Sequence, residues 1–278
     1  MPALPKITVI TPSFNQARFL RETIESVLNQ KYPNLEYFVI DGGSSDNSID
    51  IIREYEDRID WWVSEKDGGQ TDAICKGFKR ATGDLIGWLN SDDVYFPGAL
   101  NSISKAYIRN PNASLYSGGI AIGERGDGGI RKCSVPTRPL RIFSSLGILG
   151  FGQQGTFFRR EDYIRTGDLS RELYIRMDGD IMYRLVKCNP STVVTDEMVG
   201  FFRWHETSKS TVSEDRYFQE RDEFIRSLGL SKRGFTIRTF YFRLYRLIMG
   251  SYVKSWRATQ KLRGKRMSDI WQSKDVLS

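Results

Sequence analysis

ATGDLIGWLNSDD, at residues 81–93, is an apolar run that ends abruptly in small polar and acidic side chains. The run at 85–89 is almost uninterrupted, which is typical of a strand buried on both faces of a parallel sheet. In open α/β sheets, ligands bind beyond the carboxyl ends of such strands. Asn90, Asp92 and Asp93 supply the oxygen donors that a hard divalent cation with a phosphate co-ligand prefers. Taken alone, the stretch would be interpreted as a strand followed by an acidic turn.

Three earlier stretches repeat this organisation of short apolar strand, polar loop and amphipathic helix. The predicted strands are at 7–11, 35–40 and 61–64, and each opens into a loop rich in Gly, Ser, Asp or Asn. Strands that alternate with helices predict a parallel sheet with right-handed crossovers. We therefore predict an α/β fold in which one sheet edge carries the loops at 12–15, 41–46, 67–72 and 90–93.

The second half of the chain is predicted to be less regular. Residues 123–139 are Gly-rich, basic and interrupted by Pro, which favours a surface loop or an irregular hairpin. The remaining predicted elements are strands at 113–122, 155–160, 193–195 and 199–204, helices at 97–107, 178–187 and 212–228, and a helix or turn at 161–166.

Charge divides the chain into two parts. The 278 residues carry a net charge of +7. Residues 231–278 contain twelve Lys or Arg and two Asp, a net charge of +10, so the first 230 residues carry −3. Length and composition fit one large globular domain with an extension. We expect a mildly acidic body at 1–230 and a strongly basic tail at 231–278.

Cysteine usage and hydropathy suggest a cytoplasmic protein. Cys75, Cys133 and Cys188 lack metal-ligand spacing and cannot all pair, which favours a reducing compartment and argues against bound zinc. The N-terminal residues lack the apolar core of a signal peptide. No apolar run approaches the roughly 18 residues that a membrane span needs.

The polar loops together resemble one known family. The segments are TPSFN at 11–15, DGGSSD at 41–46, DGGQTDAICKGFKRATGD at 67–84, LNSDD at 89–93, MDGDIMYRL at 177–185 and FFRWHETSKS at 201–210. In order and spacing they resemble the inverting, sugar-nucleotide-dependent glycosyltransferases of family 2, over about residues 5–210. The resemblance implies a GT-A fold at 1–230, with a Rossmann-like, mixed and mostly parallel sheet flanked by helices. The tail at 231–278 is predicted to be a basic, amphipathic helical extension.

The resemblance implies that the loops bind a nucleoside diphosphate sugar. Asp41 matches the family position that accepts a hydrogen bond from the base. An ionised carboxylate only accepts hydrogen bonds, which suits the N3–H group of uracil or thymine and favours UDP or dTDP over GDP. The other nucleotide-binding residues that the resemblance implies are Pro12, Phe14, Asn15, Gly42, Asp72, Lys76, Asn90 and Ser91.

The resemblance also implies Mn²⁺ or Mg²⁺ as cofactor, since a Lewis acid would neutralise the departing diphosphate. Asp92 matches the last acid of the family's Asp-x-Asp motif, whereas Asn90 replaces the first acid and brings no charge. Asp93 and His205 are the other candidate metal ligands. His205 is the single histidine of the chain and matches a family His that can approach the metal or the diphosphate.

Inversion in one displacement needs a carboxylate base opposite the leaving diphosphate. The resemblance places Asp178 there, with Asp180 positioning the acceptor or Arg184. Met177-Asp178 stands where the family more often shows Glu-Asp. The choice between Asp178 and Asp180 as the base therefore stays open.

The tail carries a second pattern at 238–257. In helical projection, basic residues form one stripe, and aromatic and aliphatic residues lie opposite. This pattern is typical of a helix in a membrane interface, where anionic lipid attracts the basic side chains. The alternative is a helix whose apolar face packs on the body. Because no nucleic-acid recognition motif accompanies the tail, we expect its partner to be the anionic inner face of a membrane.

The expected function is hexosyl transfer, with inversion, from a UDP- or dTDP-sugar to a hydroxyl of a lipid-linked glycan in surface polysaccharide or lipopolysaccharide synthesis. One alternative is a nucleotidyltransferase acting on sugar phosphates, although PSFNQ at 12–16 is not the Gly-rich basic loop expected of that class. The other alternative is a non-catalytic, membrane-associated scaffold of the same fold. The donor sugar, the acceptor and the linkage depend on the pocket shape built by residues 120–180.

Overall fold

The computed structural model describes residues 3–123, 129–138, 141–144, 146–206, 208–209 and 214–273. Parts of the segments predicted at 123–139, 201–210 and 212–228, and the last five residues of the tail, lie outside the described residues. Within the described residues, the chain forms an α/β structure built on one mixed sheet.

Four strands joined by helices occupy the first third of the chain. In order, the elements are β1 (Ile7–Ser13), α1 (Ala17–Leu28), β2 (Leu35–Asp41), α2 (Ser48–Arg53), β3 (Trp61–Ser64), α3 (Gln70–Arg80) and β4 (Leu85–Trp88). β1 pairs in parallel with β2 and β4, and β2 pairs in parallel with β3. Every residue of β1 and β4 is buried, as expected for strands with helices on both faces. The carboxyl ends of the four strands share one edge, which confirms this part of the prediction.

The remaining strands extend the sheet with mixed directions. The elements are β5 (Val94–Tyr95), α4 (Ala99–Arg109), β6 (Leu115–Gly123), β7 (Ile130–Ser134), α5 (Arg141–Ser144), β8 (Thr156–Arg159), α6 (Arg160–Thr166), α7 (Met177–Cys188) and β9 (Thr192–Phe202). The strand order is β3-β2-β1-β4-β8-β6-β9-β5, and β7 pairs with the end of β6. β8 lies antiparallel between β4 and β6, whereas β6 and β9 run parallel. The predicted mixed α/β fold class is confirmed.

One predicted segment has a different form in the structure, and another has one of its two predicted forms. One continuous strand, β9, replaces the two strands predicted at 193–195 and 199–204. Asp196 and Glu197, which lie between them, are extended and have exposed side chains. The irregular segment at 123–139 contains β7, which forms a hairpin with β6. Both features lengthen the sheet on the side away from β3.

The core consists of two layers of apolar side chains, one on each face of the sheet. α1, α2 and α4 cover one face through residues such as Ile24, Ile52 and Ile103. α3, α6 and α7 cover the other face through residues such as Phe78 and Ile181. Burial of each such side chain stabilises the fold by about 2 kcal/mol. These layers hold the strand ends, and therefore their loops, in fixed positions.

The tail is helical and packs on the body. After α8 (Glu214–Ser227), the chain forms α9 (Lys232–Ile248), α10 (Ser251–Leu262) and α11 (Met267–Gln272). Leu262, Met267 and Ile270 are buried in one cluster with residues of β5, β7 and β9. The end of the tail therefore shares a hydrophobic cluster with the body. Within the described part of the chain, no helix is both long and apolar enough to cross a membrane.

Candidate functional site

The loops after β1, β2, β3 and β4 enclose a cavity of ≈ 400 Å³, the first cavity. It opens at the carboxyl edge of the sheet, where the sequence predicts ligand binding. Phe14 is 59 % exposed, so its ring is available to stack on a flat aromatic ligand. The predicted nucleotide-binding residues that line this cavity are Pro12, Phe14, Gly42, Asn90 and Ser91.

A second cavity of ≈ 330 Å³ adjoins the first. Asp178 of α7 lines the second cavity and not the first. Two ligands, one in each cavity, would meet beside the side chains that the cavities share. The shared residues are Gln70, Asn90, Asp92, Tyr174, Ser208 and Lys209.

Asp92 and His205 come together although they are distant in sequence. His205 Nε2 lies 2.9 Å from Asp92 Oδ2. The segment after β9 is fixed against this loop, because the guanidinium of Arg203 donates from Nε to the Asp92 carbonyl at 3.0 Å and pairs with Glu22. The His205 ring also packs 4.8 Å from the Phe19 ring. Asp92 remains partly exposed to both cavities.

Asp93, the other predicted metal ligand of this loop, lines neither cavity. The residue is fully buried. Its carboxylate accepts hydrogen bonds from Arg203 N at 3.0 Å, Gln154 Nε2 at 2.9 Å and Asn90 Nδ2 at 3.2 Å. Burial, followed by the charge of Asp92, raises the pKa of Asp93 well above its ordinary value. Asp93 ties the loop after β4 to the body and does not face ligand.

Asp41, the residue predicted to contact the base, is also buried. It is the last residue of β2 and is fully shielded from solvent. Its carboxylate accepts hydrogen bonds from Ser44 N at 2.8 Å, Ser44 Oγ at 2.5 Å, Ser64 Oγ at 2.7 Å and Gly43 N at 3.1 Å. Asp41 therefore holds the turn after β2 and joins it to β3.

Asp67 supplies a second carboxylate beside Asp92 in the lining of the first cavity, and it was not among the predicted site residues. A Cβ at Gly42 would lie 3.1 Å from Asp67 Oδ1, so Asp67 occupies the space that a side chain at position 42 would fill. Asp67 Oδ1 accepts a hydrogen bond from Gly69 N at 2.8 Å. Among the described residues, Oδ2 has no hydrogen-bond partner. The signal was present in the DGGQ loop at 67–70, where Asp67 is the first residue.

Three other predicted nucleotide-binding residues lie outside both cavities. Asn15, with φ of 51°, accepts a hydrogen bond from Ser45 N at 2.8 Å and braces the loop after β2. Asp72 accepts hydrogen bonds from Gly68 N at 3.3 Å and Arg171 Nε at 3.2 Å. Lys76 pairs with Glu65 at 2.6 Å. Each of these contacts shapes a loop around the first cavity.

Asp178 and Asp180 occupy the first turn of α7 in different surroundings. Asp178 lines the second cavity, and its Oδ1 accepts a hydrogen bond from Gly179 N at 2.7 Å. Burial raises the pKa of Asp178. Asp180 lines neither cavity and accepts a hydrogen bond from Arg184 Nε at 2.8 Å. Asp178 is therefore the carboxylate of this pair that can reach a ligand.

α8 fixes the segment that leads into α7. Glu220 is 6 % exposed and accepts hydrogen bonds from the backbone N–H groups of Tyr174, Ile175 and Arg176 at 2.8, 3.0 and 2.9 Å. Burial opposes ionisation of Glu220, but these bonds outweigh it and lower its pKa. Glu220 thus holds Tyr174, and with it the start of α7, at the cavity wall. No sequence motif surrounds Tyr174 or Glu220, so neither was predicted as a site residue.

The residues at the junction fit a divalent cation with few protein ligands. Carboxylate and imidazole are ligands that Mn²⁺ accepts, and Asp92 and His205 supply one of each. Asn90 Oδ1 accepts a hydrogen bond from Gln70 Nε2 at 2.7 Å. No group of three or more His, Cys, Asp or Glu side chains suited to a metal is found in the described ranges. A cation here would complete its coordination with ligand oxygens and water.

The fold and the two joined cavities define a GT-A glycosyltransferase architecture. The chain belongs to glycosyl transferase family 2, whose family model matches residues 8–167. That range contains all four parallel strands of the first half and the loops that form the first cavity. The family was thus indicated by the loop sequences.

Similar proteins match over part of their length. An uncharacterised glycosyltransferase of Mycobacterium tuberculosis is 42 % identical over 94 residues, 34 % of this chain and 36 % of that protein. One from Rickettsia typhi is 34 % identical over 118 residues, 41 % of this chain and 36 % of that protein. The chain thus covers about a third of these curated relatives.

Solved structures share the fold. S. aureus TarS 1–349 in complex with UDP-GlcNAc has a TM-score of 0.60 at 18 % identity, covering 80 % of this chain and 65 % of that chain. The mannosyltransferase PcManGT of Pyrobaculum calidifontis, in complex with GDP-Man and Mn²⁺, has a TM-score of 0.62 at 14 % identity, covering 97 % of this chain and 79 % of that chain. At these identities the likeness concerns the fold.

Proposed function

We propose that this protein is an inverting, metal-dependent glycosyltransferase. It moves a hexose from a nucleoside diphosphate sugar, with UDP favoured, to a hydroxyl of a lipid-linked glycan in surface polysaccharide or lipopolysaccharide synthesis. The observation that carries the proposal is the meeting of two cavities at Asp92, with Asp178 in the wall of the second. In this proposal the first cavity holds the donor and the second holds the acceptor.

The proposed reaction is a single displacement. The acceptor oxygen bonds to the anomeric carbon, the bond from that carbon to the diphosphate oxygen breaks, and its electron pair leaves with the nucleoside diphosphate. Asp178 takes the proton of the acceptor hydroxyl. Its raised pKa makes it a stronger base than an ordinary carboxylate. Glu220 keeps the chain before Asp178 in place through three backbone hydrogen bonds.

Asp92 and His205 would hold Mn²⁺ or Mg²⁺ at the junction of the cavities. When bound, such a cation supplies charge neutralisation for the diphosphate. Asn90 brings no charge to this loop, and its amide is hydrogen-bonded to Gln70 and Asp93. The Mn²⁺ in the PcManGT complex supports the choice of cation.

Asp67 takes the role in base recognition that the sequence assigned to Asp41. Asp67 Oδ1 already accepts a hydrogen bond from Gly69 N, whereas Oδ2 accepts none from the described residues. Oδ2 suits the single N3–H of uracil or thymine. Guanine presents two neighbouring N–H groups, and the second would compete with Gly69 N for Oδ1. UDP or dTDP is therefore favoured over GDP.

The tail supports a lipid-linked acceptor at an anionic, cytoplasmic membrane surface. α9 and α10 carry exposed apolar side chains, including Phe240, Ile248 and Trp256, beside exposed Lys and Arg. On its buried side, α9 packs against the segment before the second cavity, since a Cβ at Gly150 would lie 2.8 Å from the Phe242 ring. The residues that follow Gly150 line the second cavity. The exposed face thus lies on the helix that borders the acceptor side.

Nucleotide binding tests the proposal most directly. With Mn²⁺ present, UDP is expected to raise the Tm of the protein more than GDP or ADP does. Asp67→Ala should remove this preference, whereas Asp50→Ala, an exposed carboxylate on α2, should keep it. Transfer from radiolabelled UDP-sugars to membrane lipid extracts then identifies the donor. A protein whose Tm responds to no nucleoside diphosphate would contradict the proposed function.

A further inference from the structure

Lys209 lies where the two cavities join. Its side chain lines both of them together with Asn90 and Asp92. Its ammonium lies 4.1 Å from the centre of the Tyr174 ring. The turn before it is fixed, because Ser208 is buried and its Oγ accepts a hydrogen bond from His205 N at 3.0 Å. The lysine therefore has a defined position beside the loop that follows β4.

No carboxylate in the described part of the chain lies within 4.0 Å of the Lys209 ammonium. Burial, followed by the charge of Arg216, lowers the pKa of Lys209 to about 8. A partly buried cation without a paired anion is unfavourable, and an anionic ligand would relieve that cost. The surroundings of Lys209 thus lack a paired negative charge, which an anionic ligand bound in the cavity would supply.

Other cations around the first cavity differ from Lys209. Arg203 is engaged with Glu22 and with the Asp92 carbonyl, and Arg171 is engaged with Asp72. Lys66 is exposed and lines the first cavity without lining the second. Lys209 alone among these four reaches the point at which donor and acceptor would meet.

We propose that Lys209 is a catalytic residue that binds the donor diphosphate and neutralises its growing charge. This inference rests on the proposed function. As the bond between the anomeric carbon and the diphosphate oxygen breaks, its electron pair passes to that oxygen, and the ammonium donates a charge-assisted hydrogen bond to the diphosphate. The lysine keeps its proton, and the proton of the acceptor hydroxyl goes to Asp178.

The composition of the neighbouring loop agrees with this role. Because residue 90 is Asn, the loop after β4 carries one negative charge fewer than it would with an acid at that position. The remaining cavity-facing acid, Asp92, is paired with His205. A lysine beside this loop is therefore free to act on the diphosphate instead of forming an ion pair with the protein.

Calorimetric titration of Lys209→Met tests the proposal with three probes: UDP, uridine and inorganic pyrophosphate. We expect UDP and pyrophosphate to bind about tenfold more weakly than to the wild type, because one charge-assisted contact is lost. Uridine, which has no phosphate, should bind equally to both proteins. Lys209→Arg should restore UDP affinity to within about threefold, since it keeps the charge.

The controls separate this inference from the proposed function. Lys261→Met removes an exposed charge on α10 and should leave all three affinities unchanged. Equal UDP affinity in wild type and Lys209→Met, or an equal loss of uridine and UDP affinity, would overturn the role of Lys209. A wild-type protein that binds neither UDP, dTDP nor GDP would instead overturn the proposed function.

Discussion

Asp92 and Asp93 are adjacent residues in opposite surroundings. Asp92 faces both cavities and contacts His205, whereas Asp93 is buried among three hydrogen-bond donors. One acid is therefore available to ligand, and the other holds the loop that presents it. Substitutions at the two positions should change different properties of the protein.

We expect Asp92→Asn to lower sugar transfer by at least about 100-fold, because it removes the charge that faces the donor cation. Its Tm should stay near that of the wild type. Asp93→Ala should lower the free energy of unfolding by about 2–4 kcal/mol, since three buried donors lose their acceptor. Radiolabel transfer and urea denaturation measure the two effects. Equal destabilisation by both substitutions would contradict this division of roles.

The pH dependence of transfer should report on Asp178. Burial raises its pKa, so the carboxylate takes up a proton at a higher pH than an ordinary Asp does. Because the base must be ionised, kcat/KM should fall as pH decreases through this raised pKa. Asp178→Asn should abolish transfer, while Asp180→Asn should keep the acidic limb of the profile. An unchanged profile in Asp178→Asn would show that another group is the base.

The predicted loops line the first cavity, but not every predicted side chain does. The loop after β2 was identified from its Gly, Ser and Asp residues, yet β2 continues to Asp41 and turns that carboxylate towards the β3 side. The next position, Gly42, faces the cavity without a side chain, and Asp67 from the neighbouring loop fills the space. A residue of one loop that fills the space beside another loop depends on tertiary packing, and residue spacing along the chain does not predict such packing.

At the level of elements, local patterns predicted the first half of the sheet better than the second. β1 to β4 alternate with amphipathic helices, so their order and direction follow from connection rules. β8 lies between β4 and β6 and is antiparallel to both. Its place depends on contacts with strands that are distant in sequence. The polar residues in the middle of β9 likewise concealed its continuity.

Glu36 of β2 joins three elements on the amino-terminal side of the sheet. Its carboxylate accepts hydrogen bonds from Lys6 Nζ at 2.7 Å, Thr8 Oγ1 at 2.6 Å and Thr82 N at 2.8 Å. Burial opposes ionisation of Glu36, but these bonds outweigh it and lower its pKa from 4.5 to about 2. Residue 82 precedes β4, so Glu36 links β1, β2 and the entry into β4.

Glu36→Gln should destabilise the protein by about 3 kcal/mol at neutral pH, the free-energy equivalent of this pKa shift. Because the folded-state pKa lies below the unfolded value, this stabilisation is complete above pH 4.5 and is lost as the pH falls towards about 2. Urea denaturation at neutral pH and near about pH 3 measures the difference between wild type and variant. Exposed Glu54→Gln serves as control and should change stability little. A pH-independent difference would contradict the mechanism.

At the scale of the whole molecule, the tail both packs on the body and presents a separate exposed face. Ser255 and Thr259 of α10 accept hydrogen bonds from the backbone N–H groups of Val135 and Cys133, each at 2.9 Å. Leu262 is buried with residues of β7 and β9. Removal of residues 231–278 would expose this core, so tests of the tail need the full chain.

The exposed apolar side chains of α9 and α10 support the proposed contact with a membrane. Phe240 is 64 % exposed, Ile248 is 75 % exposed and Trp256 is 61 % exposed. Arg243 and Arg257 on the same helices are also exposed. Aromatic and aliphatic groups beside basic groups favour insertion at an anionic lipid surface, where both contributions act together. An apolar face that is not covered by the body is expected to find such a partner.

Full-length Ile248→Ser/Trp256→Ser should sediment with phosphatidylglycerol-containing vesicles at least about tenfold less well than the wild type, because two apolar side chains no longer enter the lipid. Both residues are exposed, so folding should be retained and nucleotide binding should be unchanged. Ile164→Ser is a matched control, since Ile164 is 61 % exposed and belongs to a different helix, α6. Salt should weaken wild-type binding, as expected for basic side chains at an anionic surface. Equal sedimentation of wild type, double variant and control would show that this face meets a protein or remains in water, and the proposed lipid-linked acceptor would lose its main support.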